Sequence, residues 1–364
     1  MKKVLFVATV TVHINAFHIP YLKMFKENGY EVHVASLGEE DIEYCDKHFN
    51  IPFARFPLKL QNYKAYKELK RIIEENNYEI IHCHTPVGGV ITRLASKNAR
   101  KNDTRVIYTA HGFHFYKGAP IINWLIYYPI EKYLSKFTDC LITINQEDYD
   151  IAKRKFKAKQ IELVHGVGVD DSKFNFKMSK KEQRELRESL GLKDDDFVLI
   201  QVGELNKNKN QIMSINAMKD LAKENPNVHL LLVGKGNLED FYKKKIEKYN
   251  LQKNVHLLGY RNDIHKLMKI SNVLISLSYR EGLPVNVIEG MMCGLPIIAT
   301  NCRGNIDLAQ NYNVSNLIKI NDVDMLKEKI RKYYDKKYEL EQSDVSIYGK
   351  YKIKKKMKKI YTYI

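Results

Sequence analysis

Nowhere in the 364 residues do about eighteen apolar residues run together, so no segment has the length and hydropathy of a membrane-spanning helix. Cysteine is scarce and odd in number: five, at Cys45, Cys83, Cys140, Cys293 and Cys302, none in the short paired spacing of a zinc cage or a disulfide framework. A reducing, cytoplasmic setting is therefore expected. Acidic residues are in deficit, 43 against 60 Lys and Arg, and the formal charge of +17 calls for an anionic partner. Nucleic acid, phospholipid headgroups and a diphosphate-bearing substrate all qualify on charge. The aromatic-plus-basic signature of the known RNA and DNA modules is missing, so no nucleic acid is expected. Tandem repeats and low-complexity tracts are absent apart from a lysine-rich end, Lys354 to Lys359. That end reads either as a solvated helix face or as a foothold on an anionic membrane leaflet.

What is present is an alternation of short β-branched runs with longer helical patterns, the mark of parallel sheets flanked by helices. A chain of this length exceeds what one hydrophobic core usually spans, so two domains are expected. Met1-Lys2-Lys3 followed by Val4 to Val10 has the outline of a signal peptide, but the apolar run stops early and His13, Asn15 and His18 follow without a small-residue cleavage site. A buried first strand fits better. Further strands read as 31–35, 80–84, 106–109, 141–145 and 161–164, with one helix ending at Gly29 and another over 88–99. Residues 171–196 are polar, strongly charged from Lys177 to Asp196, and contain one helical stretch near 181–190. They are expected to link the halves. The alternation restarts with strands at 197–202, 228–233, 255–258, 273–278 and 296–299, and Asp322 looks like a helix cap. The expected layout is thus an α/β chain: a Rossmann-like domain over 1–170, a linker over 171–196, a second such domain over 197–345, and a basic helix over 346–364 that can cross back to the first domain.

Parallel sheets bind ligands beyond the carboxyl ends of their strands, where loops vary freely and helix N-termini face the opening. The unusual residues fall there: His84, His111-Gly112, Gly203-Glu204, Gly234 and Glu281-Gly282. Between Ser278 and Thr300, Pro284 suits a first helical position and Gly294 the residue just past the end. Free amides at that helix start would receive a pyrophosphate, with Glu289 about 7.5 Å further along the axis at 1.5 Å per residue. Carboxylates on either side of an anion site match a sugar nucleotide, which carries hydroxyls at both ends and charge in the middle. From spacing alone, Glu281 as a helix cap and Glu289 as a solvated helix residue explain the pair equally well.

Glu281, seven intervening residues and Glu289, followed by Met291 to Pro296, resemble the signature of the family 4 retaining glycosyltransferases of the GT-B fold, two Rossmann-like doubly wound domains facing across a cleft. The segments Tyr108 to Tyr116, Asn123 to Glu131 and Asp139 to Asn145 are similar to the capsule and exopolysaccharide branch of that family. The resemblance implies transfer of a hexose or N-acetylhexosamine from a nucleotide diphosphate sugar, a UDP-sugar by expectation, to a glycan or polyprenyl-diphosphate-linked acceptor, without cofactor or metal. It implies an acceptor-binding first domain and a donor-binding second one, with Glu281 on the transferred sugar, Glu289 on the ribose, Gly282 and Leu283 amides at the phosphates, and Lys209 as the phosphate lysine. Gly203, Glu204, Lys207 and Gly234 accompany them on the donor side. Glu204 departs from the family, many members of which carry arginine there. His111 corresponds to the family histidine that contacts the donor sugar; a satisfied core histidine is the competing account. His13, His18 and His84 are assigned to the acceptor side. His82 and His84 share a strand face and with His111 lack a further evident ligand, so no metal site is expected. Trp124, Tyr127 and Tyr128 with Ile121 to Ile126 read either as helix core or as a membrane-docking face. A sugar-nucleotide epimerase and a nucleic-acid-binding protein are the alternative readings.

Overall fold

The computed structural model describes residues 1–57, 59–311, 316–335 and 344–363. It contains two compact units, one of residues 1–167 with 351–364, the other of 168–350.

In the first unit, seven strands pair in parallel: β1 (Lys3–Val10), β2 (Glu31–Leu37), β3 (Lys47–Asn50), β4 (Ile80–His84), β5 (Arg105–Ala110), β6 (Cys140–Thr143) and β7 (Gln160–Leu163). Their order is β3-β2-β1-β4-β5-β6-β7. All five residues of β4 are buried, which is why β-branched and apolar side chains fill the central strands without alternation. The helices α1 (Thr11–Phe17), α2 (Ile19–Glu27), α3 (Gln61–Asn76), α4 (Pro86–Ala95), α5 (Ile121–Leu134) and α6 (Gln146–Lys155) connect them. One core lies between the sheet and α3 and α4, through Leu69, Ile73, Val87 and Ile91; another, on Phe6, Val34 and Ile107, takes Leu22 and Phe25 of α2.

The second unit repeats the winding: β8 (Phe197–Val202), β9 (Val228–Val233), β10 (Val255–Leu257), β11 (Val273–Ser276), β12 (Ile297–Thr300) and β13 (Leu317–Ile318), in the order β10-β9-β8-β11-β12-β13, all parallel. Its helices are α7 (Asp171–Phe174), α8 (Lys180–Ser189), α9 (Gln211–Glu224), α10 (Glu239–Lys248), α11 (Ile264–Lys269), α12 (Val285–Met292), α13 (Arg303–Asn311) and α14 (Val323–Tyr334). Asp322 caps α14 through Met325 N, as its sequence position suggests.

Three local expectations are corrected. Residues 171–196 do not bridge the units; they lie inside the second. Arg187 of α8 donates to the carbonyls of Lys193, Asp196 and Ile270, and Ser179 with Glu182 forms a capping box, so polar bonds rather than an apolar stripe anchor this charged helix. Pro284 is the N-cap of α12, not its first residue: its ψ of 113° is extended, and the helix begins at Val285. The helix expected over 88–99 begins at Pro86 and closes at Ala95. Gly29 and Gly294, both at φ +77°, follow the ends of α2 and α12 as expected.

The basic C-terminal helix, α15 (Lys350–Tyr363), packs in the first unit, where Ile353, Met357, Ile360 and Tyr361 join the core around Phe6 and Phe25.

Candidate active site

In a doubly wound sheet, the order of the strands reverses where β1 and β4 meet in the first unit and where β8 and β11 meet in the second, and loops from those strand ends diverge to open a crevice. Each unit carries its own group of polar residues at that point.

In the first unit the group is histidine. His84 ends β4, His111 follows β5, His13 rides on α1 directly after β1, and His18 sits between α1 and α2. A ligand nitrogen of each lies within 4.8 Å of the others. His18 stacks on His84 at 3.7 Å between centroids, and His13 meets His111 edge-on at 4.8 Å. Burial keeps all four rings neutral: His111 is pushed down to about 3 and His13 to about 4, while His18 and His84 fall well below the usual value, through burial first and their neighbouring rings second. His82 stands apart, satisfied by the hydroxyls of Tyr361 at 2.7 Å and Thr109 at 2.8 Å.

In the second unit the group is charged. Lys209 Nζ lies 2.6 Å from Glu281 Oε1, both side chains largely sheltered from solvent. Their loops are stitched together: Asn206 accepts from the Lys209 amide, Gln201 donates to the Lys209 carbonyl, Asn208 donates to the Arg280 carbonyl and accepts from the Tyr279 amide. Gly203 and Gly234 end β8 and β9 in the left-handed region, and a Cβ on Gly234 would stand 2.1 Å from the Gly203 carbonyl oxygen. A Cβ on Gly203 would in turn stand 3.2 Å from the Lys209 side chain, so the two strand ends pass close to it only as glycine. Glu204 and Lys207 are exposed at the loop's rim.

Glu281 does not cap α12, whose N-cap makes no side-chain bond; it is committed to Lys209. The first turn of α12 presents amides without helical acceptors just after Gly282 and Leu283, the former half-exposed and the latter buried, and Asn286 fastens this turn to the Val202 carbonyl at the end of β8. Glu289 is not a solvated helix residue either. Burial raises its carboxyl to about 7 against an opposing pull from Lys173.

The aromatic segment divides its two readings between two faces. Trp124, Tyr127 and Tyr128 of α5 turn inward onto the core, the Trp124 indole donating to the Tyr116 carbonyl at 3.2 Å. Ile121, Ile122, Leu125, Ile126 and Ile130 turn outward, with Ile121 73 % and Leu125 65 % exposed. Ile126 and Ile130 also line a cavity of about 300 Å³ whose walls include Phe56, Val90, Ile91 and Phe113. At its base Glu131 pairs with buried Arg93 at 2.8 Å, and the guanidinium lies 3.9 Å from the centre of the Tyr108 ring.

Residues 182–352 match the family described as glycosyl transferases group 1, and residues 3–145 match glycosyl transferase 4-like proteins. EpsD of Bacillus subtilis, described as a glycosyltransferase, is 46% identical over 336 residues, 92% of this chain and 88% of that protein. The chain is a glycosyltransferase. The UDP-Gal:alpha-D-GlcNAc-diphosphoundecaprenol alpha-1,3-galactosyltransferase of Escherichia coli is 32% identical over 269 residues, 73% of this chain and 68% of that one. The crystal structure of Anabaena HepE with UDP superposes with a TM-score of 0.79 at 19% identity, covering 100% of both chains, and places this glycosyltransferase in the GT-B fold. Among the described residues no helix is long and apolar enough to cross a membrane.

Reading the glycosyltransferase from sequence missed two arrangements. The convergence of His13 and His18 on His84 and His111 depends on how α1, which starts at Thr11 directly after β1, lies against the ends of β4 and β5, and nothing local announces that. Nor does sequence pair Arg93 with Glu131, which are 38 positions apart and join α4 to α5 beneath the cavity.

Proposed function

We propose that the enzyme transfers a hexose or N-acetylhexosamine, with retention of anomeric configuration, from a UDP-sugar to a polyprenyl-diphosphate-linked glycan in the assembly of a capsule or exopolysaccharide. The observation that carries this reading is the Lys209–Glu281 ion pair set beside the first turn of α12. A cation for the departing diphosphate, amides of a helix start for its oxygens and a carboxylate for a sugar hydroxyl are what cleavage of a sugar–phosphate bond requires. In the resting protein the pair neutralises itself; an arriving diphosphate competes for Lys209 and frees Glu281 to accept from the sugar. Glu289 then holds the ribose, and Lys207 lies at the rim where the phosphates enter.

In the step itself the bond from the anomeric carbon to the diphosphate breaks, the acceptor hydroxyl oxygen bonds to that carbon from the same face, and its proton passes to the departing phosphate. Lys209 and the α12 amides carry the leaving charge, so this step calls on no cofactor.

The acceptor class is supported by the first unit. An apolar cavity opening beside an exposed aliphatic stripe suits a prenyl chain at a membrane surface, and the galactosyltransferase relative acts on a diphosphoundecaprenol-linked sugar. The net charge of +17 suits an anionic leaflet and supports action at the inner face of the cell membrane.

Lys209→Ala should lower transfer by about 10²–10³-fold, the loss typical of one preorganised donor at a developing anion, with an unchanged circular dichroism spectrum. UDP release with a polyprenyl-diphosphate GlcNAc acceptor reads it, and wild-type turnover in the folded variant refutes the assignment. A thermal-shift panel of UDP, GDP, ADP and TDP sugars should select UDP.

A further inference from the structure

Four histidines meet at the strand-order reversal of the first unit, and within the described residues their buried nitrogens lack hydrogen-bond partners: His13 Nε2, His111 Nε2, and both ring nitrogens of His18 and His84. His18 and His84 are 3 % and 1 % exposed. A buried imidazole nitrogen without a partner is costly, and six of them in one place are hard to account for as packing. His82, one strand position pair away, shows what packing alone achieves: both its nitrogens are satisfied.

We propose that His13, His18, His84 and His111 form a binding site for one divalent transition-metal ion of the zinc class. The donor set decides the class. Imidazole nitrogens without any carboxylate suit Zn²⁺, Co²⁺, Ni²⁺ or Cu²⁺ and give nothing to the hard, oxygen-seeking Mg²⁺ or Ca²⁺. A tetrahedral ion with bonds of about 2.0–2.1 Å sets its ligand nitrogens about 3.3 Å apart. The four now lie within 4.8 Å, so side-chain rotation brings them in while the strands stay in place. The stack of His18 on His84 opens as it does so, since two cofacial rings cannot both point their lone pairs at one ion. The ion would fasten α1 to the ends of β4 and β5.

The site takes in His111, which the family resemblance sets at the donor sugar, but its test measures binding and not turnover. Tag-free protein is titrated with Zn²⁺ by calorimetry and with Co²⁺ by visible absorption. One ion per chain, the intense bands of four-coordinate Co²⁺ and a higher melting temperature are expected. His84→Gln and His13→Asn should each weaken Zn²⁺ binding by more than about a hundredfold, beyond the roughly 10–100-fold that loss of a supporting residue outside the ligands usually costs. His13 is half-exposed, so its variant decides the matter should His84→Gln fail to fold. His256→Gln, at the His229–His256 contact of the second unit, should bind as the wild type does. No Zn²⁺ uptake, uptake unchanged in His13→Asn, or uptake lost in His256→Gln overturns the proposal.

Discussion

Glu289 is the residue whose state changes most within the working range of pH. Burial raises its carboxyl to about 7 from an ordinary 4.5, only partly offset by Lys173. The sign follows directly: because the folded value lies above the unfolded one, the protonated acid adds stability below about 4.5 and that contribution is lost as pH rises through about 7. Function runs the other way. A carboxylate accepts ribose hydroxyl hydrogen bonds more strongly than the acid does, so UDP affinity should climb as pH rises from about 6 to about 8. Calorimetric titration of UDP across that span checks it, and Glu289→Gln should flatten the rise. An equal rise in the variant would remove Glu289 from the nucleotide site. The position of Glu289 was legible in sequence because a helix and its spacing are local. Its altered acidity was not, since that depends on what α7 lays against α12. Lys209 and Glu281 are separated by 72 positions, and only the β8–β11 pairing sets them 2.6 Å apart.

Among elements, α5 separates two demands that its sequence runs together. Residues 121, 122, 125, 126 and 130 form one stripe at helical spacing and Trp124, Tyr127 and Tyr128 form another, so the same segment is core on one side and exposed aliphatic surface on the other. If the outer stripe rests on a bilayer, the double variant Ile121→Glu/Leu125→Glu should bind anionic vesicles at least about tenfold more weakly at low salt. Burying each such side chain contributes about 1.5–3 kcal/mol, more than enough for that factor. Thermal stability should hardly change, because these positions face solvent. Flotation of both proteins reads the difference, and a wild type that stays with the soluble fraction defeats the docking role. Sequence could not choose between core and surface because both stripes are apolar. Central strands were legible within a residue or two because full burial demands continuous apolar runs, as in β8 and β9. The short edge strands β3 and β13, with the sequences KHFN and LI, went unforeseen, for an edge needs only a few backbone bonds and leaves little pattern. The stretch 171–196 misled for a related reason: its helix α8 is anchored by Arg187 rather than by an apolar face, and its buried Phe174 and Leu192 stand singly in the sequence.

At the scale of the molecule, the last fourteen residues belong to the fold of the first 167. Ile353, Met357, Ile360 and Tyr361 of α15 are buried there, Tyr361 bonds His82 on β4 and stacks edge-on against Phe25 of α2, and Arg105 donates to the Tyr361 carbonyl. Four large side chains at about 1.5–3 kcal/mol each match the ~5–15 kcal/mol that usually separates a folded domain from its unfolded chain. Removing 351–364 should therefore unfold the first unit, whose folded form would otherwise hold His82 buried without its tyrosine. The second unit keeps its own sheet and its own core around Leu199, Leu230 and Ile275, so it should survive the deletion. Hydrogen exchange resolves the two regions within one truncated chain: amides of β1, β4 and β5 should lose protection by orders of magnitude, while those of β8, β9 and β11 exchange as in the full-length protein. Uniform loss across both sheets would mean that the units do not fold independently, and retained protection in β1 and β4 would mean that α15 contributes surface rather than core.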